Sequence, residues 1–125
     1  MTKNSFIDIM KNNLTILGYT RYRNYWYKEN NGYLLCINIQ GSQWDKNTYY
    51  VEFGVAFFNS TIEHPSVLHW NYRHRCIGKN GDTNIQPSDL VDFINEVHNT
   101  FPTLEELPAF FLKQNAVKVG NQYWW

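Results

Sequence analysis

The sequence predicts an α+β fold: an antiparallel sheet of four or more strands, with an N-terminal helix and one or two C-terminal helices packed on it. Three observations predict it. Between Gly32 and Phe58, apolar residues recur at every second position in two runs. Residues 5–17 and 88–101 each carry apolar residues at intervals of three and four. Period two marks a strand with one buried face, and a period near 3.6 marks a helix with one buried stripe. A chain of 125 residues has the length of one domain with one core, so 1–125 is read as a single unit.

The first element is the helix of residues 5–17. Phe6, Ile9, Met10, Leu14 and Leu17 form its stripe, Ser5 with Asp8 resembles a capping signal, and Gly18 suits the left-handed closing position. Residues 19–28, YTRYRNYWYK, favour a strand. Tyr22 and Trp26 share one face of it, and Arg21, Arg23, Tyr25 and Tyr27 the other. Rings on both faces leave the inward side open. A turn at 29–32 leads into the central hairpin.

In that hairpin Tyr33, Leu35, Ile37 and Ile39 share a face, as do Tyr49, Val51, Phe53, Val55 and Phe57. The opposite face carries Leu34, Cys36, Asn38 and Gln40, then Tyr50, Glu52, Gly54, Ala56 and Phe58. Gly41 to Asn47 is a loop rich in turn formers. The connection after Phe58 includes Pro65, which argues against a continuing central strand. Residues 67–77 read as a fourth strand, with Leu68, Trp70, Tyr72, His74 and Cys76 on one side and His69, Asn71, Arg73, Arg75 and Ile77 on the other. A helical turn through Val67–Tyr72 is the alternative.

Residues 78–87 are loop by composition. The helix of 88–101 presents Leu90, Ile94, Val97 and Phe101, with Ser88 or Asp89 as its cap and Pro102 as its stop. Thr103 with Glu106 has capping-box spacing, and Pro108 opens a short helix to about Asn115. The tail VKVGNQYWW is apolar enough to be tied down on the body or on a partner.

Composition excludes some roles. Formal net charge is zero with pI near 6.9, which argues against a bulk polyanion such as duplex DNA. Charge is nevertheless uneven. Residues 1–79 hold nine Lys/Arg against five Asp/Glu, a balance of +4, and residues 80–125 hold two against six, a balance of −4. A basic sheet facing acidic helices is the expectation. No apolar run reaches the roughly 18–20 residues of a membrane span, and MTKNSFIDIMKNNL is not a secretory signal, so a cytoplasmic location and no membrane partner are expected. Cys36 and Cys76 have no metal or redox spacing and read as small buried hydrophobes.

No phosphate loop, GxSxG or HExxH occurs. His64, His69 and His74, at five-residue intervals, alternate sides of a strand, so neither a metal nor a cofactor is implied. Glu52 on the central strand would be a general acid or base only if its face were a pocket, and otherwise is a charge on the exposed side. The suggestive group is Trp70, Arg73, His74 and Arg75, because guanidinium recognises carboxylate or phosphate and an indole stacks on either. Pairing of these arginines with the acidic helices is the plainer reading. Trp44, a large ring in a polar loop, is a second binding candidate, with folding back onto the sheet as the equal alternative. Gly54 leaves a gap that would admit a ring from a neighbour or a ligand.

The pattern of LGYTRYRNYWYK, INIQGSQWDKNTYYVEFGVAFF and YRHRCIG, with Gln40, Gly54, Arg75 and Gly78, resembles the bacterial domain-of-unknown-function 4304 family over most of residues 1–100. The resemblance implies a small α+β domain without assigned activity, and it carries over no functional residue. The expected function is a non-enzymatic module that binds a protein, of immunity or accessory type. The alternative is a domain holding a small anion, nucleotide or single-stranded nucleic acid through Trp and Arg. A hydrolase or transferase using Glu52 or His74 is the least supported.

Overall fold

In the computed structural model, which describes residues 1–58 and 62–125, one seven-stranded sheet carries three helices. Helix α1 (Lys3–Ile16) is followed by β1 (Thr20–Tyr22), β2 (Tyr25–Asn30), β3 (Tyr33–Gly41), β4 (Tyr49–Phe57) and β5 (Tyr72–Cys76). Then come α2 (Pro87–Thr100), α3 (Leu107–Lys113), β6 (Val117–Val119) and β7 (Gln122–Trp124). The strand order is β1-β2-β3-β4-β5-β7-β6, with every pair antiparallel except β5 with β7. Of the connection that follows Phe58, residues 59–61 lie outside the described residues.

The central hairpin forms as its period dictates. Tyr33, Leu35, Ile37, Ile39, Tyr49, Val51, Phe53 and Val55 are buried, whereas Phe57, expected with them, is 39% exposed at the strand's end. Phe6, Ile7, Met10 and Leu14 of α1 and Leu90, Ile94 and Val97 of α2 close this face. Ile7 replaces Ile9 in the expected stripe, since Ile9 is exposed. Each Leu, Ile or Phe so enclosed contributes about 1.5–3 kcal/mol.

The helix ends differ from expectation. Thr2, not Ser5, caps α1, its hydroxyl accepting from the Ser5 N–H at 3.1 Å. Gly18 has φ +97°, the left-handed value a closing glycine supplies. Pro87 opens α2, with no side-chain cap from Ser88 or Asp89. Thr103 donates to the Glu106 carboxylate at 3.1 Å but caps no backbone N–H, and a 3-10 turn (Leu104–Glu106) precedes α3.

Three stretches depart from the strand expectations. Residues 19–28 are two strands, turned at Arg23 and Asn24, with Arg23 at φ 56°. The turn shifts parity. Tyr22 pairs with Tyr25 and Arg21 with Trp26, so Tyr22 and Trp26 lie on opposite faces and Trp26 enters the core. Residues 67–77 begin as a 3-10 turn (Val67–His69), and only Tyr72–Cys76 is strand. The tail is a hairpin, β6–β7, which joins the sheet through β7 beside β5. No helix among the described residues is long and apolar enough to cross a membrane.

Candidate functional site

On the face away from the main core, strand register aligns side chains in rows. One row is Tyr25, Asn38, Glu52 and Arg75, across β2, β3, β4 and β5. The next is Tyr27, Cys36, Gly54, Arg73 and Trp124. Side chains opposite one another on adjacent strands lie within about 5.5 Å, so each row is a contact path.

Glu52 is the centre of the first row and is 1% exposed. Arg73 grips both its oxygens, Nε on Oε2 and Nη2 on Oε1 at 2.9 Å, and Arg75 Nη2 donates to Oε1 at 2.8 Å. Burial pushes the Glu52 carboxyl upward, but the hydrogen bonds and charges of both arginines outweigh it and hold the group below its ordinary 4.5. Glu52 is therefore a buried, ionised anchor. It is not the charge on an exposed strand face that alternation suggests. The arginines likewise find their partner on the neighbouring strand and not on the acidic helices. Each guanidinium also rests on a ring, Arg73 on Trp124 at 4.4 Å and Arg75 on Tyr50 at 4.9 Å.

Trp70 does not join these arginines in an open concavity. The 3-10 turn reverses its expected side, and its ring fills the space over Gly54, against Tyr27, Cys36 and Ala56, at 1% exposure. Its indole N–H donates to the Pro65 carbonyl at 3.1 Å. The gap at Gly54 thus receives a neighbour's ring. His74 faces the main core, between Phe93 and Trp125, with Nδ1 2.7 Å from the main-chain oxygen of Trp125. Burial holds its pKa below the ordinary 6.5, so the ring is neutral and Nδ1–H donates. His64 stacks on Tyr22 and His69 bonds Ser66, so the three histidines are dispersed.

Of the sequence candidates, those that stay open, Arg75 and Trp44, lie at one end of the sheet. Arg75 retains 42% exposure of its side chain, with Tyr50 beneath it and Ile77 exposed two residues on. At the same end, Trp44 projects from the β3–β4 loop with 91% of its surface exposed. That loop is held by its own polar groups. Ser42 Oγ accepts from the N–H of Trp44 and Asp45, at 3.1 and 3.3 Å. The Asp45 carboxylate accepts from the Asn47 N–H at 2.8 Å and the Thr48 hydroxyl at 2.9 Å. Those bonds hold its pKa below the ordinary range. Asn84 ties the loop to the body, donating to the Asn47 carbonyl at 2.6 Å and accepting from the Tyr49 N–H at 3.1 Å. A second opening, a cleft of about 330 Å³, is lined by Tyr72, Pro108, Phe111, Leu112, Ala116 and Tyr123.

Tyr50 and Trp124 were not among the residues that composition singles out. Register carries the signal that finds them, because Trp124 pairs with Arg73 and Tyr50 stands two residues from Glu52, the partner of Arg75. Among the described residues no group of three or more His, Cys, Asp or Glu could hold a metal.

These features define a class: a small α+β domain built on one sheet, with its buried charges spent internally and its recognition-type side chains outward at one end. The chain belongs to the domain of unknown function family DUF4304, whose model matches residues 10–101. The match includes the central sheet and α2 but not α3 or the β6–β7 hairpin. No curated protein and no solved structure matches it.

Proposed function

We propose that the chain is a non-enzymatic protein-interaction module, of immunity or accessory type, which docks its partner through Trp44. One observation carries the reading. A tryptophan with 91% of its surface in water sits on a loop already ordered by its own hydrogen bonds. Burying such a ring contributes much of a typical interface's energy, and a preformed loop has little entropy left to lose on binding. Supporting it, Tyr50 and Arg75 add hot-spot residue types at the same end, beside an exposed Ile77. The two groups best suited to proton transfer, Glu52 and His74, are both committed to internal contacts. A cytoplasmic setting belongs to this proposal, and two free buried cysteines suit it.

The test is photo-crosslinking from Gln43 with full-length chain in extracts of the source cell, in wild type and Trp44→Ala. One partner captured by wild type and lost in the variant, with unchanged unfolding midpoint, supports the proposal. Equal capture by both, or no partner captured by either, ends it.

A second reading rests on Arg75, whose half-exposed side chain places its guanidinium over Tyr50: it would hold the oxyanion of a small anion, nucleotide or single strand. Nucleotides quenching tryptophan fluorescence, less so at higher salt, would support it. Absence of quenching at millimolar nucleotide removes it.

A further inference from the structure

We propose that β6 is a strand-acceptor edge, which takes an extended segment of a partner protein alternating apolar and acidic residues. This surface is separate from Trp44 and stands independently of its reading.

β6 ends the sheet and pairs only with β7, so among the described residues its outer backbone groups have no strand opposite them. Its register is Val117 with Trp124, Lys118 with Tyr123 and Val119 with Gln122. Tyr123 lies against Tyr72, on the helix-covered face. Trp124 lies under Arg73, and the Gln122 amide donates to the Trp70 carbonyl at 3.1 Å, both on the opposite face. Lys118 therefore shares the face of Tyr123, and Val117 and Val119 share the other. The two valines are 62% and 59% exposed, an aliphatic pair on an open edge.

An added strand satisfies the edge's backbone groups, and its side chains supply selectivity at alternate positions. Charge sets what those side chains are. From Leu107 to Trp125 the chain holds Lys113 and Lys118 and no Asp or Glu. The residue opposite Lys118 is thus acidic, and its neighbours, opposite Val117 and Val119, are apolar. A second copy does not fit this pattern. Two β6 strands pairing antiparallel about a twofold axis at Lys118 would set the two ammonium groups opposite one another, the usual block on edge-to-edge association. That block does not operate against an acidic strand. The other edge, β1, offers Thr20, Arg21 and Tyr22 and no aliphatic side chain.

The probe is the acetylated, amidated peptide Thr-Val-Glu-Val-Glu-Val-Thr, titrated to millimolar into 15N-labelled full chain. Amide shifts confined to residues 112–125, slowed hydrogen exchange in β6, and several-fold weaker binding at high salt are expected. Lys118→Glu, at an exposed position, should lose that peptide and gain the version carrying Lys in place of Glu. No response in β6, equal binding of both peptides by wild type, or concentration-dependent β6 shifts without peptide would each overturn the proposal.

Discussion

Replacing Glu52 with Gln keeps the side chain's size and removes its charge. Three charge-assisted hydrogen bonds converge on that carboxylate, two from Arg73 and one from Arg75. Arg73 has only 14% of its side chain exposed, so the variant leaves a guanidinium enclosed beside a neutral amide. Breaking a buried pair from one side costs about 3–5 kcal/mol. With a urea slope of about 1–3 kcal/mol per molar, the unfolding midpoint should fall by on the order of 2 M. Arg75→Gln removes the more exposed partner, whose pairing water screens, and should cost about 1 kcal/mol or less. Replacing Glu52 and Arg73 together by Leu should recover most of the loss, since the one cation then left without its partner, Arg75, keeps 42% of its side chain exposed to water. Acid supplies an independent check. The folded-state pKa of Glu52 lies below its ordinary 4.5, so its contribution is complete above that pH and is lost as pH falls through the folded value. The difference between wild type and Glu52→Gln should therefore narrow on acidification. A Glu52→Gln chain within about 1 kcal/mol of wild type, or an Arg75→Gln chain equally damaged, would refute the assignment of Glu52 as a buried anchor.

Other outcomes follow from the same face and from the core. A Cβ at Gly54 would stand 2.7 Å from the Tyr72 carbonyl oxygen and closer still to the Trp70 ring, so Gly54→Ala should cost about 1–3 kcal/mol or more and shift tryptophan emission. Urea melts followed by fluorescence read both. Burial pushes the thiols of Cys36 and Cys76 far above their ordinary pKa, so a thiol reagent at pH 8 should label neither in the native chain and both in urea. Rapid native labelling of either would contradict their burial. Trp44→Ala should leave the unfolding midpoint within about 0.5 kcal/mol of wild type, because the ring makes no core contact.

Much of the architecture is legible in the sequence because burial there has a period. From Tyr33 to Val55 alternation places the helix-covered face correctly, and the 3.6 spacing of Leu90, Ile94 and Val97 does the same for α2. Cys36, Asn38, Glu52 and Ala56 on the reverse of the hairpin are buried as well. What escapes is whatever changes parity between periodic segments. Arg23 turns the chain at a left-handed φ without the glycine that would announce it, and this moves Tyr22 away from Trp26. The 3-10 turn at Val67–His69 does the same to Trp70, which thereby passes from a candidate binding ring to the plug over Gly54. The tail hairpin escapes for another reason. Strands of three residues hold no period to detect, and Asn115 and Gly120, both at positive φ, set its geometry.

The candidate site was legible only as a list of residue types, because function on a sheet depends on register, which no single strand contains. Arg73, His74 and Arg75 are consecutive, yet the strand sends the two arginines to Glu52 and the histidine to Phe93 and Trp125. Pairing β4 with β5 at Glu52 and Arg75 decides that the arginines neutralise an internal carboxylate. The same pairing sets Gly54 beside Arg73, so the ring space is closed by Trp70 on one side of the row and the cation by Trp124 on the other. Once those demands are met, only one sequence candidate keeps its whole side chain in water. Trp44 lies in the loop where register no longer acts, and its exposure is therefore a property of the loop's own hydrogen bonds and not of the sheet. Ser42, Asp45 and Thr48 order that loop without help from the indole, so Trp44 can be replaced without disturbing the backbone that carries it.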